Sequence, residues 1–400
     1  MRVLVAPDKF KGTLTAREAA EAMADGVKDA NPRAEVILHP MADGGEGTID
    51  VLAAKNRLHV ERVIVTGARG APIEAPLAIL EDGTAVVETA TTSGAGAHQM
   101  RPDALTSFSL GTGQLIRAAV ERGCQKVLVG VGGTVTTDGG TGAATAFGWR
   151  FLDRGGRELP RGGGALGRLA RIEPPSNPLS QDIRIEAATD VSSRLVGAGG
   201  AARMFARQKG ASRADIWRLE HGLRRLARHI SHDVGIEGVA RMPGAGAGGG
   251  LGAGLVAFLG ASLFSGFDSV ARVTQLEKSL DNVTLVVTGE GHLDRQSLAG
   301  KVPVSVAQLA GQHDIPCIAV VGRVSLNKDE LDKAGFASAV SIAEAAGTRR
   351  AFDDPGRALR ITTAMLLLQG DLHGSGRQHH EPDDRSTHSR SLGSRHRFTK

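Results

Sequence analysis

Residues 127–140 have the sequence VLVGVGGTVTTDGG, an apolar run that continues directly into a loop of glycine, threonine and aspartate. The apolar run predicts a β-strand. In open α/β sheets the ligand crevice lies beyond the carboxyl ends of the strands, and loops there carry function. The same arrangement occurs at residues 3–12, 36–47 and 285–291, each time with an acidic residue in a loop that contains glycine. This repeated pattern predicts an α/β enzyme that acts on phosphates.

The composition excludes several other classes of protein. The chain has 400 residues, 41% of them hydrophobic, which is enough for a large core and about two domains. Aromatic residues make up only 3%, tyrosine is absent and the net charge is +5, so nucleic-acid binding is not expected. Two cysteines without a metal-binding spacing indicate buried thiols rather than a disulfide framework. No signal peptide or membrane span is expected, and the predicted location is the cytoplasm.

The order of the predicted elements indicates two domains. A βαβ pattern begins the chain, and Thr15 with Glu18 forms a capping-box signature for its first helix. Shorter strands and turns follow, including a predicted hairpin with an Asp-Gly turn at residues 82–83. The α/β pattern then returns near Asp281. We therefore predict a discontinuous domain of residues 1–66 and 285–370, an inserted mixed domain of residues 67–284, and a disordered tail of residues 371–400.

The loop after residue 131 is the clearest candidate for a phosphate site. Its glycines allow successive backbone amides to converge on an anion. Its hydroxyl groups can bind phosphate oxygens, and the carboxylate of Asp138 can bind a metal ion. The predicted phosphate-binding residues of this loop are Gly132, Gly133, Thr134, Thr136 and Thr137. The alternative is a tight turn in which Asp138 caps the next helix.

Acidic and basic residues at the other strand ends complete the candidate site. Asp43 and Glu46 lie three residues apart in a glycine-rich turn, although capping of a helix is an alternative for them. Asp8, Lys9 and Lys11 place mixed charges after the first strand, with a surface turn as the alternative. Asp190 follows a strand at residues 183–187. A further polar loop contains Glu290, Asp294 and Lys301.

The well-known nucleotide-binding and catalytic sequence motifs are mostly missing. The chain has no Walker A sequence, protein-kinase catalytic loop, HExxH or GxSxG motif. Residues 244–249 satisfy GxGxxG, but no strand is predicted before them. This match is a weak dinucleotide fingerprint, and it leaves a nicotinamide-dependent oxidoreductase as an alternative.

Several motifs, in order along the chain, match one family. They are APDKFKGTLTA at 6–16, PMADGGEGT at 40–48, GGTVTTDGG at 132–140, ATDV at 188–191, QKGA at 208–211, PGAGAGGGLGAG at 243–254 and TGEGHLDRQSLAGK at 288–301. Over roughly residues 1–370 the chain resembles the bacterial glycerate kinases that phosphorylate D-glycerate with ATP. The resemblance implies two α/β domains, a discontinuous flavodoxin-like one with a mixed α/β domain inserted, and an active site in the cleft. It favours 2-phosphoglycerate as product, with 3-phosphoglycerate as the alternative.

These observations together give a hypothesis for the mechanism. ATP and Mg²⁺ are the expected cofactors, with Asp138 or Glu290 holding the metal and Gly246 and Gly248 joining the phosphate loop. Lys9 and Lys209 are expected to stabilise charge on the transferred phosphoryl group or on the carboxylate of glycerate. Asp190 is expected to accept the proton of the substrate hydroxyl, with Asp43 as its rival. A non-catalytic sensor of hydroxy acids stays an alternative, and the oligomeric state stays open, a homodimer included.

Overall fold

The computed structural model describes residues 1–94 and 102–373 of the chain. Its strands are β1 (Arg2–Val5), β2 (Glu35–Leu38), β3 (Leu58–Thr66), β4 (Pro72–Leu80), β5 (Thr84–Glu88), β6 (Lys126–Gly130), β7 (Arg150–Leu152), β8 (Arg171–Glu173), β9 (Arg184–Ala188), β10 (Ser262–Phe264), β11 (Leu285–Thr288), β12 (His292–Leu293), β13 (Cys317–Val321), β14 (Arg323–Val324) and β15 (Ser338–Ser341). Its α-helices are α1 (Ala16–Ala30), α2 (Thr48–Lys55), α3 (Thr89–Ser93), α4 (Leu110–Glu121), α5 (Thr141–Thr145), α6 (Ala201–Phe205), α7 (Arg213–His229), α8 (Ala247–Leu259), α9 (Gly266–Thr274), α10 (Val302–Gln312), α11 (Lys328–Lys333), α12 (Ile342–Ala345), α13 (Thr348–Asp353) and α14 (Pro355–His373).

The two ends of the chain form one parallel sheet of five strands in the order β15-β13-β11-β1-β2. Numbered by their own sequence, these strands have the order 2-1-3-4-5 of flavodoxin-like folds. β1 and β13 are apolar and buried on both faces, as expected for strands covered by helices on each side. Helices α1 and α14 pack on one face, whereas α2 and α10 pack on the other.

The first helix begins where the sequence predicts it. The hydroxyl of Thr15 accepts from the backbone amide of Glu18, and the Glu18 carboxylate accepts from the amide of Thr15. This capping box satisfies amides that the first helical turn leaves without partners. Buried residues of α1, among them Ala20, Met23 and Val27, then face the sheet at helical spacing.

The middle of the chain forms a second, mixed sheet of six strands in the order β10-β9-β6-β5-β4-β3. In this sheet β10, β9, β6 and β5 pair in parallel, whereas β5, β4 and β3 pair antiparallel. One face packs against α4, α7 and α8, and the other face shares a core with α2 and α9. The predicted hairpin at Asp82 and Gly83 is confirmed as the turn between β4 and β5.

The sheet pairing corrects one predicted domain boundary. The predicted first domain ends at residue 66 and so includes β3. In the structure, all nine residues of β3 pair with β4 in the six-stranded sheet. The antiparallel pairing with the strand that directly follows it determines this placement. We therefore propose that the inserted unit begins near Leu58. The rest of the predicted division stays a prediction.

Two further expectations concern the chain's end and its helices. Helix α14 continues to His373, three residues into the segment predicted to be a disordered tail. The rest of that tail, residues 374–400, lies outside the described residues. Within the described ranges, no helix has the length and apolar character needed to cross a membrane.

The two sheets meet where their strands end. A Cβ atom on Gly130, the last residue of β6, would lie 2.0 Å from the carbonyl oxygen of Gly44. A Cβ atom on Gly266 would lie 1.9 Å from the carbonyl oxygen of Asp43. Because neither approach leaves space for a side chain, glycine at both positions lets the loop after β2 lie directly on the six-stranded sheet.

Candidate active site

A cleft of about 900 Å³ lies at the carboxyl ends of the strands, between the two sheets. The loops after β1 and β11 form one of its walls, and these are the neighbouring strands at which the strand order reverses. Ligands of open α/β sheets bind at such a switch point. Of the predicted site residues, those that line the cleft are Lys9, Asp43, Glu46, Gly132, Gly133, Glu290 and Lys301.

An ion-pair cluster occupies one wall of the cleft. Lys9 Nζ lies 3.1 Å from Asp43 Oδ1 and 3.4 Å from Asp8 Oδ1. Burial raises the pKa of Asp8 to about 7, although the charge of Lys9 opposes this rise. Burial lowers the pKa of Lys9, but the charges of Asp8 and Asp43 and their hydrogen bonds outweigh it, so its pKa lies above the usual value. Lys9 is therefore a permanent cation at the switch point.

The geometry of the loop after β2 determines where Asp43 points. The amide of Gly45 donates to Asp43 Oδ1 at 2.9 Å, and the hydroxyl of Thr48 donates to the carbonyl of Gly45 at 2.7 Å. Asp43 therefore does not cap α2, which begins at Thr48 after Gly47. Its side chain is about a third exposed, at 32%, and it lines the cleft.

The loop after β11 adds a second acidic group. Glu290 Oε1 accepts from the hydroxyl of Ser297 at 2.6 Å, and Lys301 Nζ lies 3.8 Å from its Oε2. Burial raises the pKa of Glu290, while the hydrogen bond from Ser297 and the charge of Lys301 oppose the rise. Asp294 does not line the cleft, since its carboxylate accepts from the amides of Gln296 and Ser297 and holds the turn.

Asp190 borders an adjoining cavity of about 450 Å³ rather than the main cleft. Its Oδ1 accepts weakly from the amide of Phe267 at 3.3 Å, and its Oδ2 is buried without a hydrogen-bond partner. Burial raises the pKa of Asp190 to about 8, and the negative charges of Asp43 and Asp8 raise it further. The carboxyl group is thus close to the ion-pair cluster, and it is mostly protonated at neutral pH.

The predicted phosphate loop divides into an exposed edge and a buried base. Gly132 and Gly133 line the cleft, whereas Thr134, Thr136 and Thr137 are buried. Thr89 organises the exposed edge, because its hydroxyl donates toward the carbonyls of Gly130 and Gly132 and accepts from the amide of Gly132. The threonine hydroxyls were expected to bind phosphate directly. Their burial corrects that expectation.

Lys209 supports the same loop from below. Its Nζ donates to the carbonyl of Thr136 at 2.7 Å and lies 3.4 Å from Thr134 Oγ1. Burial lowers the pKa of Lys209 to about 8, while the charge of Asp138 opposes the fall. The predicted contact of Lys209 with substrate is therefore corrected to a contact with the backbone of the loop.

Asp138 is not available as a metal ligand, which corrects the prediction. The side chain is fully buried, and its Oδ2 accepts from the amide and hydroxyl of Ser109 and from the amide of Gly142. Its Oδ1 accepts from the amide of Gly140. These bonds use both oxygens at the start of α5, so the alternative interpretation of Asp138 as a capping residue is supported.

Gly246 and Gly248 are also corrected, from phosphate binding to packing. A Cβ atom on Gly246 would lie 2.3 Å from the carbonyl of Arg194, and one on Gly248 would lie 3.0 Å from Val131 Cγ1. The carbonyls of Gly248 and Gly249 accept from Thr136 Oγ1 and from the amide of Gly139. The run thus supports the 132–140 loop. It follows a turn rather than a strand, which argues against a dinucleotide fingerprint.

Some residues that line the cleft are not among the site residues predicted from the sequence. Asp8 was noted only as part of a charged turn, although it directly precedes Lys9 at the end of β1 and is only 6% exposed. Its position after a buried strand, like that of Glu290, was a signal that could have identified it. Arg323 and the wall formed by Ile342 and Phe352 also line the cleft, and no motif pointed to them.

No group of three or more His, Cys, Asp or Glu side chains in the described part of the chain could hold a metal ion by itself. Mg²⁺ is commonly bound through one or two carboxylates together with phosphate oxygens and water. The carboxylates of Glu290 and Asp43 provide suitable oxygen ligands in the cleft.

Known proteins of one family are similar to this chain over nearly its whole length. The model of the glycerate kinase family matches residues 3–368. The chain is 38% identical to the glycerate 2-kinase of Escherichia coli K12 over 376 residues, which cover 92% of this chain and 98% of that protein. It is 39% identical to a glycerate kinase of Halalkalibacterium halodurans, over 85% of this chain and 90% of that protein.

A solved structure shows the same fold. The chain aligns with a crystal structure described as that of a glycerate kinase 2 from Salmonella typhimurium LT2, with a TM-score of 0.76 and 34% identity. The alignment covers 93% of this chain and 98% of the other. Near-complete coverage by the family model, by relatives and by a solved structure leads to one conclusion. This chain belongs to the glycerate kinase family, and it is a phosphotransferase.

Proposed function

We propose that this protein transfers the terminal phosphoryl group of ATP to the 2-hydroxyl of D-glycerate. The observation that supports this most directly is the cluster of Lys9, Asp8 and Asp43 at the switch point of the flavodoxin-like sheet. Phosphoryl transfer depends mainly on positioning and on neutralising charge, and the cluster supplies a fixed cation between two carboxylates. The name of the Escherichia coli relative, glycerate 2-kinase, supports the choice of hydroxyl.

ATP is proposed to bind along the main cleft. The backbone edge of Gly132 and Gly133 would contact its phosphates, with Lys9 and Lys301 compensating their charge. The apolar wall that contains Ile342 and Phe352 would contact the base. A cavity of about 900 Å³ is large enough for a nucleotide and a small acid together.

Glu290, with Asp43 beside it, is the proposed holder of Mg²⁺. When bound there, the metal would neutralise charge on the phosphates. Lys301 Nζ lies 3.8 Å from Glu290 Oε2, so its positive charge can balance that of the carboxylate when no metal ion is bound. The raised pKa of Glu290 fits a buried group whose charged form needs a positive neighbour.

Asp190 is the proposed general base. Its Oδ2 has no hydrogen-bond partner. Turned from the neighbouring cavity toward the cleft, it would accept the proton of the substrate hydroxyl as that oxygen attacks the terminal phosphorus and ADP leaves. Asp43 is the rival, since it lies in the main cleft, but its Oδ1 already accepts from Lys9 and from the amide of Gly45. A base with a raised pKa is better matched to work near neutral pH.

The test is ADP release from Mg-ATP with D-glycerate, with L-glycerate and no acceptor as controls, followed by phosphorus NMR of the product. We expect turnover that depends on D-glycerate and a spectrum of 2-phosphoglycerate. A spectrum of 3-phosphoglycerate would overturn the choice of hydroxyl. ATP binding without turnover on glycerate would overturn the proposed substrate and favour a sensor of hydroxy acids.

A further inference from the structure

Helix α2 carries no cap of its own, although it directly follows the loop that contains Asp43. Its N-cap residue is Gly47, which has a φ of 90° and no side chain that could accept from the first turn. The first amides of a helix need an external acceptor when they are buried. Glu88 supplies that acceptor from a distant part of the chain, since its Oε1 accepts from the amide of Ile49 at 2.6 Å.

Glu88 belongs to the other sheet. It is the last residue of β5, in register with Gly130 of β6, and it is 5% exposed. Burial raises its pKa to about 7, the amides of Ile49 and Gly47 oppose the rise, and the charges of Asp50 and Glu46 add to it. Within the described ranges no cation pairs with it. A buried carboxylate without a cation is costly, so its bonds to α2 are what stabilise its charged form here.

The contact is connected to Asp43 through a short series of bonds. Thr48, the first residue of α2, donates its hydroxyl to the carbonyl of Gly45, and the amide of Gly45 donates to Asp43 Oδ1. The carbonyl of Gly44 lies against Gly130, the register partner of Glu88. The first turn of α2 is therefore held on the inserted sheet at the same place where Asp43 is directed toward Lys9.

We propose that Glu88 is a positioning residue for phosphoryl transfer, which holds the start of α2 on the inserted sheet so that Asp43 stays next to Lys9. This inference rests on the proposed function of the cleft. It requires the carboxylate to act through the Asp43 loop and not through contact with substrate, because Glu88 does not line the cleft. A displacement of about 1 Å at a reacting group costs about 10²-fold in rate.

The first test compares Glu88→Ala with Glu88→Gln. We expect Glu88→Ala to lower kcat by about 10²-fold with a smaller change in the KM for ATP. Glu88→Gln keeps one acceptor oxygen and should recover part of the loss. The control is Glu220→Gln, a buried carboxylate away from the cleft whose Oε1 accepts from the amide of Gly197 and also pairs with Arg224. This control should lose stability but not kcat.

A double-mutant cycle with Asp43→Asn separates positioning from general destabilisation. If Glu88 acts through Asp43, adding Glu88→Ala to Asp43→Asn should lower kcat by much less than it does alone. Additive losses would overturn the inference, as would a wild-type kcat for a folded Glu88→Ala. Should Glu88→Ala not fold, the same cycle with Glu88→Gln gives the same two outcomes.

Hydrogen exchange provides a readout that does not depend on the reaction. The amides of residues 47–50 should exchange faster in both Glu88 variants than in the wild type, and unchanged exchange would overturn the inference. If the wild type does not phosphorylate glycerate, the proposed function fails. Faster exchange in the variants would still show that Glu88 holds α2.

Discussion

Lys9 Nζ lies 3.1 Å from Asp43 Oδ1, and this contact joins the ends of the neighbouring parallel strands β1 and β2. The parallel pairing of β1 and β2 places the loops that follow them side by side, which brings the two charges together. The contact also keeps the ammonium group on the wall of the cleft, where phosphates are proposed to bind. The position of this cation is thus determined by the parallel sheet itself.

The first prediction concerns the cation. Lys9→Met should lower kcat by about 10²–10³-fold, because it removes a preorganised charge that stabilises the transferred phosphoryl group. Lys9→Arg should retain more activity, since the charge remains. Lys278→Met, at an exposed position outside the cleft, is the control and should have a small effect. Turnover with D-glycerate measures all three, and near-normal kcat for Lys9→Met would remove Lys9 from the mechanism.

The second prediction concerns the base. Asp190→Asn should lower kcat by about 10²–10⁴-fold, because the variant cannot accept the hydroxyl proton. In the wild type, kcat/KM should rise with pH toward the pKa of about 8, since the ionised form of Asp190 is the active one. Asp43→Asn is the comparison. A larger loss of kcat in that variant, with near-normal turnover in Asp190→Asn, would make Asp43 the base.

The third prediction uses the same residue to relate stability to pH. The pKa of Asp190 is raised on folding, from 3.8 to about 8. The folded state therefore binds a proton that the unfolded state has lost, and stability falls as pH rises between these values. The loss is at most about 1.4 kcal/mol per pH unit. Urea unfolding at pH 5 and pH 8.5 should show Asp190→Asn gaining stability relative to the wild type as pH rises.

The sequence predicted those parts of the molecule that depend on neighbouring residues. Strand-to-loop transitions identified the loops of Lys9, Asp43 and Glu290, and the capping box of Thr15 was visible because its two partners lie three residues apart. The parallel sheet then brings those loops together, because carboxyl ends of parallel strands lie at one edge. The family resemblance supplied the flavodoxin-like fold of that domain.

What the sequence could not show depends on distant partners. Asp138 is a residue type that binds metal ions, and it lies in a glycine-rich loop. However, the amide and the hydroxyl of Ser109, 29 residues earlier, both donate to its Oδ2. The sequence did not single out Glu88, because the amide from which it accepts belongs to Ile49, 39 residues earlier in the chain. β3 has a clear strand pattern, but such a pattern does not say which sheet the strand joins.

The fourth prediction tests the corrected role of Asp138 against Glu290. Asp138→Ala should lower the free energy of unfolding by about 2–4 kcal/mol, because buried amides lose their acceptor. Its remaining activity should need the same Mg²⁺ concentration as the wild type. Glu290→Gln should instead raise the Mg²⁺ concentration needed for half-maximal activity. The opposite pattern in Mg²⁺ titrations would restore Asp138 as a metal ligand.

The fifth prediction concerns the close approach of the two sheets. Gly130→Ala would place a Cβ atom 2.0 Å from the carbonyl oxygen of Gly44, so the loop of Asp43 must move away from the inserted sheet. Because the loop cannot move without displacing Asp43 from Lys9, we expect kcat to fall by about 10²-fold. The matched control is Gly311→Ala in helix α10, where a Cβ atom would meet no other atom within 4 Å. That substitution should leave turnover unchanged and raise stability slightly, since alanine favours the helix. Equal turnover in both variants would show that the carboxylate of Asp43 does not need its present position for catalysis.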